Sequence, residues 1–136
     1  MELFAGVDHI GVAVKDLDEA IKVYRDVLGY KLVGVHTLAE RKTKVAFFST
    51  GGETNIELLW PLDRESTIAK FLETRGEGIH HFAMKVKNIE AVLEEFRKKG
   101  VTLLDETPKA GAGGAKIAFV HPKSTRGVLL ELCERS

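Results

Sequence analysis

The sequence predicts an α+β fold in which one strand–helix–three-strand unit is used twice. Three observations predict it: ordered self-similarity between the two halves, strand-period alternation at the start of each half, and a helical stripe closed by glycine after each alternation. DHIGVAVKDLDEAIKVYRDVLGY (Asp8 to Tyr30) lies over HHFAMKVKNIEAVLEEFRKKGV (His80 to Val101) at an offset of 72, matching His9 to His81, Val14 to Val86, Lys15 to Lys87, Ala20 to Val92 and Tyr24 to Phe96. TKVAFF (Thr43 to Phe48) matches AKIAFV (Ala115 to Val120) at 72 again, and NIELLW (Asn55 to Trp60) matches LLELCE (Leu129 to Glu134) at 74.

Each element follows from local chemistry. Across residues 7–14, Ile10, Val12 and Val14 alternate with His9, Gly11 and Ala13, the period of a half-buried strand, and Phe82, Met84 and Val86 repeat the pattern. Asp16 followed by Glu19 resembles a capping box, and Ala20, Ile21, Tyr24, Val27 and Leu28 then fall at helical spacing until Gly29 supplies a stop. Asn88 takes the cap role in the second half, Ile89, Val92, Leu93 and Phe96 form the stripe, and Gly100 ends it. Three strands are expected at about 31–38, 43–50 and 54–60 in the first copy, and at about 101–105, 115–121 and 127–133 in the second. The chain thus reads as a single domain over 1–136, with module one at about 5–62, a linker at about 63–77 and module two at about 78–136. The linker contains a short helix after Ser66 and ends in the turn-prone Gly76 and Gly78.

Composition narrows the function classes. With 136 residues, 44% of them hydrophobic, and no stretch near the roughly 20 apolar residues that span a bilayer, the chain reads as one soluble domain without a membrane partner. Lys and Arg number 20 against 20 Asp and Glu, and the longest basic run is Arg97, Lys98 and Lys99, which argues against nucleic acid as a partner. The start MELFAGVDHIGVAV has neither the basic opening nor the cleavage site of a secretory signal, so the cytoplasm is the expected compartment. Cys133 is the single cysteine, which excludes an intrachain disulfide; its expected role is apolar filler.

Few polar residues occupy matching strand positions in both copies: His9 with His81, and Glu57 with Glu131. A lone histidine or glutamate on a strand is more often a surface group or a satisfied polar one than a ligand. Repetition changes the weighing, because Glu57 lies between Ile56 and Leu58 and Glu131 between Leu130 and Leu132, where a buried carboxylate needs a partner. If the copies pack about a pseudo-twofold axis, two imidazoles and two carboxylates converge. That donor set suits cobalt, manganese, iron, nickel or zinc, and its carboxylates offset a dication's charge. Gly11, Ala13 and Ala83 follow the histidines at strand spacing, so small groups would line the histidine side and leave space for a substrate.

DHIGVAV, GEGIHHFAMKV, AGAGGAKIAFVHPKSTRGVLLEL and the doubled unit resemble the vicinal oxygen chelate (glyoxalase-like) superfamily. HPKSTRGVLLEL narrows the resemblance to its methylmalonyl-CoA epimerase family. The resemblance implies two βαβββ modules whose eight strands form a mixed, cup-like sheet around one divalent metal per subunit, in a homodimer acting on an acyl-CoA. It implies an isomerase that interconverts (2S)- and (2R)-methylmalonyl-CoA; a glyoxalase-type lyase and a non-enzymatic binding protein of the same fold are the alternatives. Carried over residue by residue, the metal ligands are His9, Glu57, His81 and Glu131, with cobalt expected first and manganese, nickel, zinc or magnesium as alternatives. Position 57 departs from family members that carry glutamine there.

The reaction moves a hydrogen between a thioester carbonyl and a carboxylate, so it needs charge stabilisation at the forming enolate and proton exchange on both faces. Glu131 resembles one of the family's two bases, and Glu40 falls where the other occurs, although AERKTK by itself reads as a charged hairpin tip. Ser124, Lys123 and Arg126 are expected near the mouth, the hydroxyl toward substrate and the cations toward coenzyme A phosphates. His36 and His80 read as surface or supporting groups, and AGAGGAK, which precedes a strand and no helix, reads as a mobile loop over substrate.

Overall fold

Strand pairing in the computed structural model, which describes residues 2–135, follows the doubled plan. In chain order the elements are β1 (Phe4–Ala13), α1 (Leu17–Lys22), β2 (Lys31–Leu38), β3 (Thr43–Ser49), β4 (Asn55–Pro61), α2 (Thr67–Arg75), β5 (Gly78–Val86), α3 (Ile89–Lys98), β6 (Lys109–Ala110), β7 (Lys116–Val120) and β8 (Leu130–Glu134). The last residue assigned to module two, Ser136, lies outside the described residues. The chain divides into two compact units, one of residues His9–His80 and the other of the residues up to Asp8 together with those from His81 onward.

In the His9–His80 unit the strand order is β2-β3-β4-β1, antiparallel through β4 and parallel between β4 and the His9–Ala13 stretch of β1. Val14, Leu17, Ala46, Phe48 and Leu58 form its helix-side core, with Ala20, Ile21 and Tyr24 packed against them. Asp16 caps α1 by accepting a hydrogen bond from the Glu19 amide at 3.1 Å, the backbone half of the expected box. The expected continuous helix to Leu28 is corrected: α1 stops at Lys22 and a single π-turn runs over Val23–Val27, closed by Leu28 N–H to Val23 O at 2.9 Å. A π-turn inserts a residue into the helical register and rotates the residues after it out of the stripe. Val27 and Leu28 are therefore 76% and 52% exposed instead of lying on the apolar face. The linker helix α2 forms where expected, with Ser66 Oγ accepting from Ile68 N at 3.1 Å.

In the other unit the order is β5-β8-β7-β6. The face of α3 buries Ile89, Val92 and Leu93 against Val86, Ala118, Val120 and Leu132. Its first turn is satisfied twice: Asn88 Oδ1 accepts from Ala91 N at 3.1 Å, and Glu134 Oε1 from Ile89 N at 2.8 Å. The opening residues of the chain pack here, Leu3 against the α3 cluster and the Phe4 ring 6.2 Å from that of Phe96. The expected strand over 101–105 is corrected to one isolated bridge, Leu103 with Val120. Asp105 Oδ2 takes the Phe119 amide at 2.8 Å, replacing a ladder carbonyl by a side chain, and the short β6 pairs with β7 further on. No described helix is long and apolar enough to cross a membrane.

Candidate metal centre and substrate site

Parallel pairing places the repeated histidine and glutamate on one diagonal in each unit. Gly11 of β1 is the partner of Glu57 on β4, and His9 stands two residues before Gly11. Ala83 of β5 is the partner of Glu131 on β8, and His81 stands two residues before Ala83. Side chains two apart on a strand share a face, so each imidazole leans toward the carboxylate of the adjacent strand. His9 Nδ1 lies 3.2 Å from Glu57 Oε2, and His81 Nε2 lies 3.3 Å from Glu131 Oε1. All four residues are buried, none more than 5% exposed. Buried carboxylates beside imidazole nitrogens are a donor set for a divalent cation, which fits these residues.

An aromatic residue flanks each glutamate on its other side. Phe47 on β3 is the cross-strand partner of Glu57, and Phe119 on β7 is that of Glu131. Phe119 packs edge-on to His81 at 5.7 Å, and Lys109 Nζ lies 5.2 Å from its ring centre. Sequence reasoning missed this pair as part of the site, although TKVAFF over AKIAFV already aligns Phe47 with Phe119. It also missed Asp8, buried beside His9, whose carboxylate receives Arg135 Nε at 3.0 Å and Nη2 at 3.0 Å. Arg135 Nη1 donates in addition to Ala112 O at 3.2 Å, tying the glycine loop to the same residue.

The small residues beside the histidines do not all face open space. Ala13 packs with Val45, Leu59 and Ile68, backed by Phe71 and Leu72 of α2, so the linker helix fills that end. Ala83 packs with Ala115, Ile117, Phe119 and Cys133, where the buried cysteine acts as the expected filler. Glu40 is exposed, on a short 3-10 turn between β2 and β3. Lys123, Ser124 and Arg126 are exposed after β7, and Ser124 Oγ accepts from Thr102 N at 2.9 Å, leaving its hydroxyl hydrogen to donate. His80 packs edge-on to Phe71 at 5.0 Å and His36 to Phe47 at 5.2 Å.

Residues 8–119 match the model of the Glyoxalase/Bleomycin resistance protein/Dioxygenase superfamily, and the chain belongs to that superfamily. Within it the chain is similar to methylmalonyl-CoA epimerases. It is 41% identical to the crystal structure of methylmalonyl-CoA epimerase from Mycobacterium tuberculosis, with a TM-score of 0.95, covering 100% of this chain and 91% of that one. The mitochondrial methylmalonyl-CoA epimerase of Mus musculus is 41% identical over 93% of this chain and 71% of its own length. The Streptomyces coelicolor epimerase, solved in complex with 2-nitronate-propionyl-CoA, aligns at a TM-score of 0.92 and 34% identity, covering 98% of this chain and 99% of that one.

Proposed function

We propose that this chain is a methylmalonyl-CoA epimerase, an isomerase that inverts C2 of methylmalonyl-CoA by metal-assisted enolate formation and two-base proton transfer. The observation that carries the reading is the repeated diagonal: His9 with Glu57 at 3.2 Å and His81 with Glu131 at 3.3 Å, all buried, in a chain similar to known epimerases. His9, Glu57, His81 and Glu131 would hold one divalent cation, for which cobalt is our first assignment, with manganese, nickel, zinc or magnesium as alternatives. When bound, that cation supplies Lewis-acid stabilisation of the negative charge that develops on the thioester oxygen.

The chain's own residues handle the proton. Inversion without an organic cofactor needs an acceptor on one face of C2 and a donor on the other. We assign these roles to Glu40 and Glu131: as one carboxylate takes the proton from one face of C2, the other, protonated, donates to the opposite face, and the two exchange roles for the other stereoisomer. The exposed position of Glu40 on its turn suits a group that exchanges protons with solvent between turnovers. Ser124 would donate its hydroxyl hydrogen to the acyl-CoA, while Lys123 and Arg126 would meet coenzyme A phosphates. The same reading makes the chain a single domain of two modules, a homodimer and a cytoplasmic enzyme.

The test is deuterium incorporation at C2 of methylmalonyl-CoA in heavy water, with and without chelator. Exchange that chelator abolishes and added metal restores is the expected result. Turnover of methylglyoxal with glutathione and none of methylmalonyl-CoA would overturn the proposal in favour of a lyase. Tight ligand binding without exchange would leave a binding protein of this fold.

A further inference from the structure

We infer that His36 is a substrate-binding residue that hydrogen-bonds the pantetheine arm of the acyl-CoA, an inference that rests on the proposed acyl-CoA substrate. His36 pairs with Val45 across β2 and β3, and Val45 pairs with Leu59 of β4, so its side chain leaves the sheet on the face that carries Glu57. The imidazole does not stay in its own row. Gly34, one row along, has no side chain, and a Cβ there would stand 3.2 Å from His36 Nε2. The ring therefore folds across Gly34 into the row of Phe47 and Glu57 and meets Phe47 edge-on, with the ring centres 5.2 Å apart and the planes at 77°. This is an oriented imidazole on an exposed residue, held by an aromatic edge over a glycine gap.

Position decides which part of the ligand it meets. Adjacent strands lie about 4.8 Å apart, so β2 is roughly 10 Å from the β4 strand that carries Glu57. His36 Nε2 stands over Gly34 of β2, while the Glu57 carboxylate leans the other way, to His9 Nδ1 on β1 at 3.2 Å, so His36 stands apart from the proposed ligands and beyond the reach of the small malonyl group. The part of an acyl-CoA that extends this distance from its thioester is the pantetheine arm, whose first amide follows two methylenes after the sulfur. An imidazole can donate to that amide's carbonyl or accept from its N–H.

The experiment compares wild type with His36→Phe, which keeps a ring against Phe47 and removes the hydrogen bond. Both are assayed on methylmalonyl-CoA and on the methylmalonyl thioester of methanethiol, which lacks every pantetheine amide. Loss of one hydrogen bond predicts a KM about five- to tenfold higher on the CoA substrate with kcat unchanged, because the contact lies away from the reacting carbon. On the short thioester the two proteins should have equal KM values, and His36→Gln should recover part of the loss on the CoA substrate. An equal KM rise on both substrates, a fall in kcat, or no change on the CoA substrate overturns the inference. If wild type epimerises neither thioester, the proposed function itself falls and the inference with it.

Discussion

Arg135 grips both carboxylate oxygens of Asp8, Nε to Oδ1 and Nη2 to Oδ2 each at 3.0 Å, across 127 residues of chain. Asp8 is 3% exposed and directly precedes His9, so this fork holds the strand that presents a proposed ligand. Charge-assisted, bidentate bonds to a buried carboxylate are among the stronger polar contacts a fold contains. Arg135→Met should lower stability by about 2 kcal/mol, and Arg135→Lys by less, since a point charge cannot reproduce the fork. Urea unfolding followed by circular dichroism reads both, and equal midpoints for wild type and Arg135→Met would refute the prediction.

Removing the proposed base separates chemistry from metal retention. Glu40 is exposed on its turn and stands outside the histidine–glutamate pairs. Glu40→Gln should therefore lower kcat by about a hundredfold or more, the scale of a lost general base, while metal content stays near wild type. Metal analysis of the purified variant checks the second half; loss of metal would assign Glu40 to the site's structure.

A ligand substitution should do the opposite. His81→Ala removes an imidazole that is 4% exposed and 3.3 Å from Glu131, so metal occupancy should fall and the melting temperature with it. Stability gained from a bound ion grows with occupancy, so added metal should raise the wild-type melting temperature more than that of the variant. Unchanged occupancy in His81→Ala would remove it from the ligand set.

The glycine loop offers a purely steric prediction. A Cβ on Gly111 would stand 2.6 Å from Ile117 Cγ2, and Ile117 is 1% exposed with little freedom to retreat. Gly111→Ala should cost about 1 to 3 kcal/mol, as overpacking of a tight core does. Gly52→Ala, with nothing within 4 Å of the added atom, is the matched control and should shift the melt far less. Equal melts for the two variants would show that the loop yields at Ile117.

Much of this fold was legible because the repeat carries its own check. The alternation at His9–Val14 and Phe82–Val86, the caps at Asp16, Asn88 and Ser66, and the stripe on α3 each correspond to local chemistry that the backbone follows. The four candidate residues were readable as equivalents, His9 with His81 and Glu57 with Glu131, whereas the contact of each histidine with the glutamate of its own unit follows from the parallel register. What escaped depended on competition between neighbours. The π-turn at Val23–Val27 leaves the apolar spacing intact in the sequence while turning Val27 and Leu28 outward. The missing strand at 101–105 reflects Asp105 capturing the Phe119 amide, a choice between side chain and backbone that periodicity cannot see. The Asp8–Arg135 fork joins residues with no shared motif, and only folding brings them within reach.

The first strand also has a consequence for how the chain could be divided. Sequence repeats suggest a cut in the linker, yet Leu3 and Phe4 pack against α3, with the residues of the other copy. A fragment ending before β5 would carry that apolar end away from Phe96, and the remaining fragment would expose what it had covered. Neither piece would hold the full complement of its own unit. The duplication visible in the letters is thus not a pair of interchangeable blocks: the opening residues act as a clasp that makes the order of the copies along the chain matter.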